Sequence, residues 1–455
     1  MESWEGVRVV VLGLARQGKA LTRYLSEHGA NVIASDLKRE DELPLDEISD
    51  LEVQFELGDH PEELLEEADL LCLSGGIPAD LPLAQQARLQ GIRVANDSQL
   101  FLENSPAPVM GITGSAGKTT TTELLGRMAR AAVEGSNRTA WVGGNIGRPL
   151  IADLDRMKQD DLVVMELSSF QLELMTASPQ IAALLNLTPN HLDRHRTMEA
   201  YSTAKANILN FQLETDTAVL GREDPGSWGL RNYVQGRLLG FSVRPFDGEG
   251  TYIEGGQVRL QMNGEEVRLF PVDVVSLRGP HNLLNVLAAC AIAGAAGVEP
   301  EAMLAGVEGF TGVEHRLEFV RSVGGADWYN DSIATAPERT VAAIRSFGEP
   351  LVLLAGGRDK DLDWSELIAL IAQRVDHLVL FGESAQMIEG LLRGSPDGRP
   401  HTLAIADGLE QAVQAAAEVA DEGDVVLLAP GGTSFDEFVD FAARGDRFKE
   451  LVQAL

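Results

Sequence analysis

The run Gly111-Ile-Thr-Gly-Ser-Ala-Gly-Lys-Thr119 follows an apolar stretch, Val109 to Ile112, and leads into a segment compatible with a long helix. These residue types at this spacing suit phosphate chemistry. Backbone N–H groups in a strand-to-helix glycine turn can cradle phosphate oxygens, Lys118 can reach the outer ones, and the Thr119 hydroxyl can ligate Mg²⁺. Gly114, Ser115, Ala116, Gly117, Lys118, Thr119 and Thr120 therefore form the candidate ATP-binding turn. The strict phosphate-loop pattern asks for glycine five residues before Gly117, where this chain has Ile112, so the turn is the variant T-G-x-x-G-K-T. The bland alternative is a glycine turn with a surface lysine; the strand and helix on either side weigh against it.

Three further segments carry residues that could act beside such a turn. Glu166 ends the apolar run Leu162 to Met165, His191 sits in Asn186-Leu-Thr-Pro-Asn-His-Leu-Asp193, and Lys205 lies in Tyr201-Ser-Thr-Ala-Lys-Ala-Asn-Ile208. Taken alone, they read as a strand-end carboxylate, a structural histidine and a solvated helix lysine. A second glycine turn, Gly13-Leu-Ala-Arg-Gln-Gly18, stands between strand-like and helix-like segments with Asp36 about twenty residues on, the outline of a dinucleotide fold. Ala15 replaces the middle glycine, which normally lets the backbone approach a pyrophosphate, and so weakens the case for NAD.

The variant turn with these segments downstream, in order, resembles the Mur ligase and folylpolyglutamate synthetase superfamily. The resemblance implies an ATP-dependent amide ligase working through an acyl phosphate, with Lys118, Glu166, His191 and Lys205 in catalysis. It implies two Mg²⁺ ions held by Thr119, Glu166, His191 and Lys205, the last as a CO₂-derived carbamate. The chemistry is sensible, because an unmodified lysine, with a reference pKa of about 10.4, would repel a metal, whereas a carbamate offers anionic oxygen.

Across the whole chain the resemblance is to the branch that adds D-glutamate to UDP-N-acetylmuramoyl-L-alanine in peptidoglycan synthesis. That branch implies nucleotide contacts at Asn282, Asn285, Arg316 and Asp331. It puts Asn145 near the muramoyl-alanine, Asp36 at uracil with Gln17, Lys38 and Gly76 nearby, and Thr335, Lys360, Ser434 and Phe441 around glutamate. The family's N-D-S-K-A-T-N appears here as Asn330-Asp-Ser-Ile-Ala-Thr-Ala336, with Ile333 for lysine and Ala336 for asparagine. These departures leave an L-glutamate-adding variant as the alternative, beside a folylpolyglutamate synthetase-like ligase.

The elements that must position these residues read as α/β throughout, in three domains. Residues 1–97, with Val7–Leu12, Asn31–Ser35, Leu70–Ser74 and Ile92–Ala95 as strands, form a Rossmann-like UDP-substrate domain. Residues 98–312 form a central P-loop ATPase-like domain with a parallel sheet. Its stretch from Gly236 to Arg268 reads as short antiparallel hairpins, and an Ala-rich helix follows His281. Residues 313–455 form a Rossmann-like amino-acid and nucleotide domain, with strands at Leu351–Leu354, Leu378–Phe381, Leu403–Ala406 and Val425–Leu428.

At 455 residues the chain exceeds what one core supports, and 44% hydrophobic with 23% charged residues is an ordinary globular composition. A formal net charge of −32 excludes nucleic acid as a natural partner, since phosphate backbones are met by Lys and Arg. Attraction of anionic substrates must then be local, against a repulsive global field. The two cysteines, Cys72 and Cys290, each lie in an apolar segment and read as small buried hydrophobes. The acidic opening Met-Glu-Ser-Trp-Glu lacks a signal peptide's basic and apolar regions, and no run approaches a membrane span. A cytoplasmic monomer without a membrane partner is expected. An NAD oxidoreductase would leave Lys118, Glu166, His191 and Lys205 without a role; a non-catalytic nucleotide-binding regulator would not need the full metal-ligand set.

Overall fold

Val9 to Leu12 are wholly buried, a β-branched run covered on both faces, which is how a central parallel strand reads. A computed structural model of the chain describes residues 4–189, 192–277, 279–360, 362–393 and 400–455, the side chains of 192 and 193 excepted. The first sheet holds β1 (Arg8–Leu12), β2 (Asn31–Asp36), β3 (Gln54–Leu57), β4 (Leu70–Leu73) and β5 (Arg93–Ala95). Its order is β3-β2-β1-β4-β5, all parallel.

The second sheet holds β6 (Val109–Thr113), β7 (Ala140–Gly144), β8 (Leu162–Glu166), β9 (Ile181–Leu184), β10 (Thr217–Gly221), β11 (Arg237–Phe241), β12 (Gly250–Glu254), β13 (Gln257–Met262) and β14 (Glu265–Pro271). The order is β14-β13-β12-β11-β10-β9-β6-β8-β7. The region expected as antiparallel hairpins divides. β11 pairs in parallel with β10 and β12, and only β12, β13 and β14 form an antiparallel meander. Leu239 and Phe241 of β11 are buried, which a sheet-interior position demands and a surface hairpin does not. The Ala-rich helix is Pro280–Ala295, with Asn285 to Gly294 buried without interruption.

The third sheet holds β15 (Glu318–Val323), β16 (Ala326–Asn330), β17 (Leu351–Gly356), β18 (His377–Phe381), β19 (Thr402–Ala406) and β20 (Val425–Gly431), ordered β15-β16-β20-β17-β18-β19. Only the β15–β16 pair is antiparallel.

The chain divides into two compact units, residues 1–310 and 311–455. The first unit contains two sheets because one apolar cluster runs through both. Val9, Val11 and Leu25 of the first sheet's layer join Val109, Val163 and Leu184 of the second. The helices Arg16–Glu27 and Asp97–Asn104 pack on the short helix Leu150–Arg156 between them. Both cysteines are buried, and burial pushes their thiols up, out of reactive range. Among the described residues no helix is long and apolar enough to cross a membrane.

Candidate active site

β6 is buried along its whole length and delivers the chain into the turn 114–117, from which the helix Lys118–Val133 starts. Gly117 is the helix's N-cap with φ +83°, and a Cβ there would meet Asn285 Oδ1 at 2.2 Å. Only glycine satisfies both conditions. Asn285, itself buried, presses against the turn, and its Nδ2 donates to Asn282 Oδ1 at 3.0 Å. Asn285 thus lies against the turn, with Asn282 bonded to it.

The turn is tied to the end of β9. Ser115 N–H donates to Asn186 O, Ser115 Oγ donates to Thr188 O at 2.8 Å, and Tyr201 OH donates to Ser115 Oγ at 2.9 Å. Asn186 grips the next peptide from both sides, its Oδ1 accepting from Ala116 N–H at 2.8 Å and its Nδ2 donating to Ala116 O at 3.0 Å. Ser115 and Ala116 therefore shape the turn, while the first N–H groups of a helix lack intrahelical acceptors and suit an anion. Thr119 is half-buried and Thr120 buried within that first turn.

Two lysines meet under the turn. Lys118 Nζ and Lys205 Nζ each donate to Gly114 O at 2.9 Å, and Lys205 Nζ also donates to Thr113 Oγ1 at 3.0 Å. Lys205 comes from the helix Met198–Asn210, is 1% exposed and stands 5.1 Å from the Tyr201 ring centroid. Burial drives its pKa well below the ordinary lysine value, Lys118 lowers it further, and Glu166 partly restores it. A lysine so placed holds far more free amine than a solvated one.

Glu166 ends β8 at 1% exposure. Its Oε1 accepts from Asn145 Nδ2 at 2.8 Å and its backbone oxygen from Asn145 N–H at 2.9 Å, whereas its buried Oε2 has no hydrogen-bond partner among the described residues. An orphaned buried carboxylate oxygen beside a hydroxyl-bearing phosphate turn fits a hard cation, which prefers oxygen ligands. His191, the remaining ligand expected from the sequence, lies outside the described residues. Among the described residues no three His, Cys, Asp or Glu side chains gather as a metal cluster; the expected set draws instead on Thr119, Glu166 and Lys205.

In the first sheet, Gly13 (φ +86°) follows β1, and a Cβ on Gly18 would strike Gly13 O at 1.8 Å, so the turn admits only glycine there. Asp36, ending β2, uses both carboxylate oxygens on backbone: Leu14 N–H at 2.7 Å and Lys38 N–H at 3.0 Å. Gln17 packs its amide against Gly75, while Gly76 and Lys38 face open space.

In the second unit Asp331 follows β16, is 5% exposed and accepts from Leu317 N–H at 3.1 Å. Burial raises its pKa to about 6, against that hydrogen bond and the charges of Arg316 and Arg339. Thr335 and Phe441 are half-buried, Ser434 is buried and Lys360 is exposed. Ala336 is the N-cap of the helix Pro337–Ile344 and offers no side-chain cap. The asparagine that the family has there is a favoured capping residue, so this departure is local and falls on helix initiation. Sequence reasoning did not single out Asn186, Ser332 or Arg444; the arginine's helical setting beside Gly445 carried no sign of its burial.

Fold and turn together define an α/β protein whose central sheet delivers a glycine turn onto a helix N-terminus, with Lys205 and Glu166 buried beside it. Three family models match in succession: a MurD-like Mur ligase N-terminal domain over residues 7–96, a Mur ligase middle domain over 112–293 and a Mur ligase glutamate ligase domain over 315–432. A UDP-N-acetylmuramoylalanine--D-glutamate ligase of Caldanaerobacter subterraneus subsp. tengcongensis is 40% identical over 98% of both chains, and that of Pelotomaculum thermopropionicum is 40% identical over the same shares. Among solved structures, the MurF ligase of Thermotoga maritima in complex with ADP shares the fold. Its TM-score is 0.53 at 20% identity, over 100% of this chain and 97% of that one. The chain belongs to the Mur ligase family and is an ATP-dependent amide ligase.

Proposed function

We propose that this chain joins D-glutamate to UDP-N-acetylmuramoyl-L-alanine at the expense of ATP, in peptidoglycan precursor synthesis. The acceptor's carboxylate attacks the γ-phosphorus of ATP, ADP leaves, and an acyl phosphate remains. The glutamate amine then attacks the activated carbonyl, and phosphate departs as the amide forms. The substrate pair rests on the end-to-end likeness to relatives that carry that name. The chemistry rests on one observation above all: Lys205, buried and with its amine pushed toward the neutral form, shares the Gly114 carbonyl with Lys118.

In this reading Lys118 and the N–H groups opening its helix hold the β- and γ-phosphates, with Asn285 against the turn and Asn282 bonded to it. Thr119, Glu166, His191 and Lys205 would hold two Mg²⁺ ions, which when bound neutralise the charge that builds as the phosphoryl group transfers. Glu166 suits this role through its unpartnered Oε2. The free amine of Lys205 suits carbamylation by CO₂, which needs a neutral nucleophile. Asn145 holds Glu166 in place and lies toward the acceptor. Gln17, Asp36, Lys38 and Gly76 take the UDP end, and Asp36 does so while bracing the Gly13–Leu14 turn. Arg316 and Asp331 serve the nucleotide; Thr335, Lys360, Ser434 and Phe441 serve glutamate. The domains fall at 1–97, 98–312 and 313–455, and the protein works as a cytoplasmic monomer.

Phosphate release from ATP and Mg²⁺ with UDP-N-acetylmuramoyl-L-alanine tests the reading, comparing D-glutamate, L-glutamate and neither. Release with D-glutamate alone is expected. Release with L-glutamate alone would transfer the reading to that enantiomer, and silence with both would remove this substrate pair.

A further inference from the structure

Arg444, on the helix Phe441–Ala454, is among the largest fully buried side chains of the protein, at 1% exposure. A guanidinium is seldom buried without a carboxylate, because removing the charge from water is costly. Here, among the described residues, it forms no ion pair; its donors go to neutral oxygens. Nε donates to Ser332 Oγ at 3.0 Å and Nη2 to Ser332 O at 2.9 Å, while Nη1 and Nη2 both reach Gly432 O at 3.3 Å. Ser332 Oγ passes its own proton to Phe441 O at 2.7 Å. A Cβ on Gly357 would come within 3.0 Å of Nη1, and the neighbouring Arg358 and Thr433 exchange two backbone hydrogen bonds of 2.9 and 2.8 Å.

One planar fork therefore bonds the segments after β16 and β20 to the last helix and lies against the segment after β17, which the Arg358–Thr433 backbone bonds hold to that after β20. These are the segments that carry Thr335, Lys360, Ser434 and Phe441. Asp436 and Glu437 act on the guanidinium only through space, and burial lowers its pKa to about 10, so it remains charged at neutral pH. In a chain of net charge −32 this is a cation whose field its own carboxylates do not quench at contact.

We propose that Arg444 is a positioning residue for the incoming amino acid, fixing the four segments as one pocket and lending it the positive potential that an acidic amino acid's carboxylate requires. The inference rests on the amino-acid site proposed above. It explains how glutamate is drawn to a strongly acidic protein with Lys360 as an exposed partner and a second, immobile charge beneath.

The test is steady-state phosphate release by the full chain and its Arg444→Met, Arg444→Lys and Ser332→Ala variants, with thermal unfolding of each. Loss of a charge-assisted, bidentate contact predicts a glutamate KM raised about tenfold or more in Arg444→Met. The KM for the UDP acceptor, whose proposed contacts lie in the first unit, should stay within about twofold, and the KM for ATP should rise less than that for glutamate. Acyl phosphate trapped by hydroxylamine without glutamate should form as in the wild type. Arg444→Lys, which keeps the charge and loses the fork, should fall between. An equal rise in all three KM values, or a lowered melting temperature with glutamate KM unchanged, overturns the inference. Should Arg444→Met fail to fold, Ser332→Ala decides: it keeps the guanidinium, removes one acceptor and is expected to raise glutamate KM by roughly three- to fivefold, the value of one ordinary hydrogen bond. An unchanged KM there overturns the inference equally. A wild-type chain silent with D-glutamate removes the functional reading itself, a result distinct from any of these.

Discussion

Replacing Gly117 by alanine adds one methyl group at the start of the helix Lys118–Val133, and its cost can be worked from the geometry. The residue has φ +83°, and a left-handed conformation costs a non-glycine residue about 1–2 kcal/mol. The new Cβ would lie 2.2 Å from Asn285 Oδ1, so that side chain must swing away. Moving it breaks the 3.0 Å hydrogen bond to Asn282, a loss of about 0.5–1.5 kcal/mol. The sum, about 1.5–3.5 kcal/mol, falls on the conformation of the glycine turn and corresponds to a roughly 10- to 300-fold rise in KM for ATP at about 1.4 kcal/mol per decade. Steady-state phosphate release over a range of ATP concentrations measures it. Asn285→Ala removes the collision and also its own nucleotide contact, so the ratio of ATP KM between Gly117→Ala/Asn285→Ala and Asn285→Ala alone isolates the backbone strain. A Gly117→Ala protein whose KM for ATP stays within about twofold of wild type would refute both the strain and the contact argument.

Glu166→Gln replaces the unpartnered carboxylate oxygen with a neutral amide; the Mg²⁺ concentration for half-maximal activity should rise about tenfold or more, read from a Mg²⁺ titration of phosphate release. Lys205→Met tests the buried amine through stability. The folded pKa of Lys205 lies below its unfolded value, so between the two the unfolded chain binds the extra proton and stability rises with pH. The burden is complete below the folded pKa and disappears as pH climbs toward the unfolded one. In CO₂-free urea unfolding, the variant's stability advantage should therefore be largest at low pH and shrink as pH rises; a gap constant across pH would contradict this. Ala336→Asn should supply the missing cap of the helix Pro337–Ile344 and stabilise the second unit by about 1 kcal/mol, seen in its urea midpoint.

The glycine turn at 114–117 and the strands around it were legible because their signals are local: an apolar run, glycines and a lysine at fixed spacing. The strands β7, β10 and β16 were not, since each is short and its apolar residues are shared with neighbouring turns; only pairing partners distant in sequence make them strands. β3 alternates polar and apolar residues at a sheet edge, a weak pattern over four residues. The lysine at 205 shows the same limit at the site. Its helix has little apolar contrast between faces, and its burial comes from β6 and the turn, ninety residues earlier in the chain. Resemblance named it; the fold supplies the reason. Arg444 had neither signal, because its partners are two backbone oxygens and one serine hydroxyl, none of which marks a buried charge in the sequence.

The apolar cluster that runs from Trp4 through Val109 to Leu220 joins the first two sheets into one body. The turn after β1 and the turn after β6 therefore belong to one compact unit with a shared core. Under the proposed reading one receives the uridine end of the acceptor and the other the phosphates that its far end must reach. The unit then acts as a ruler: a UDP-linked acceptor is accepted by its length, and one shortened or extended by a residue presents its carboxylate short of, or beyond, the reacting phosphorus.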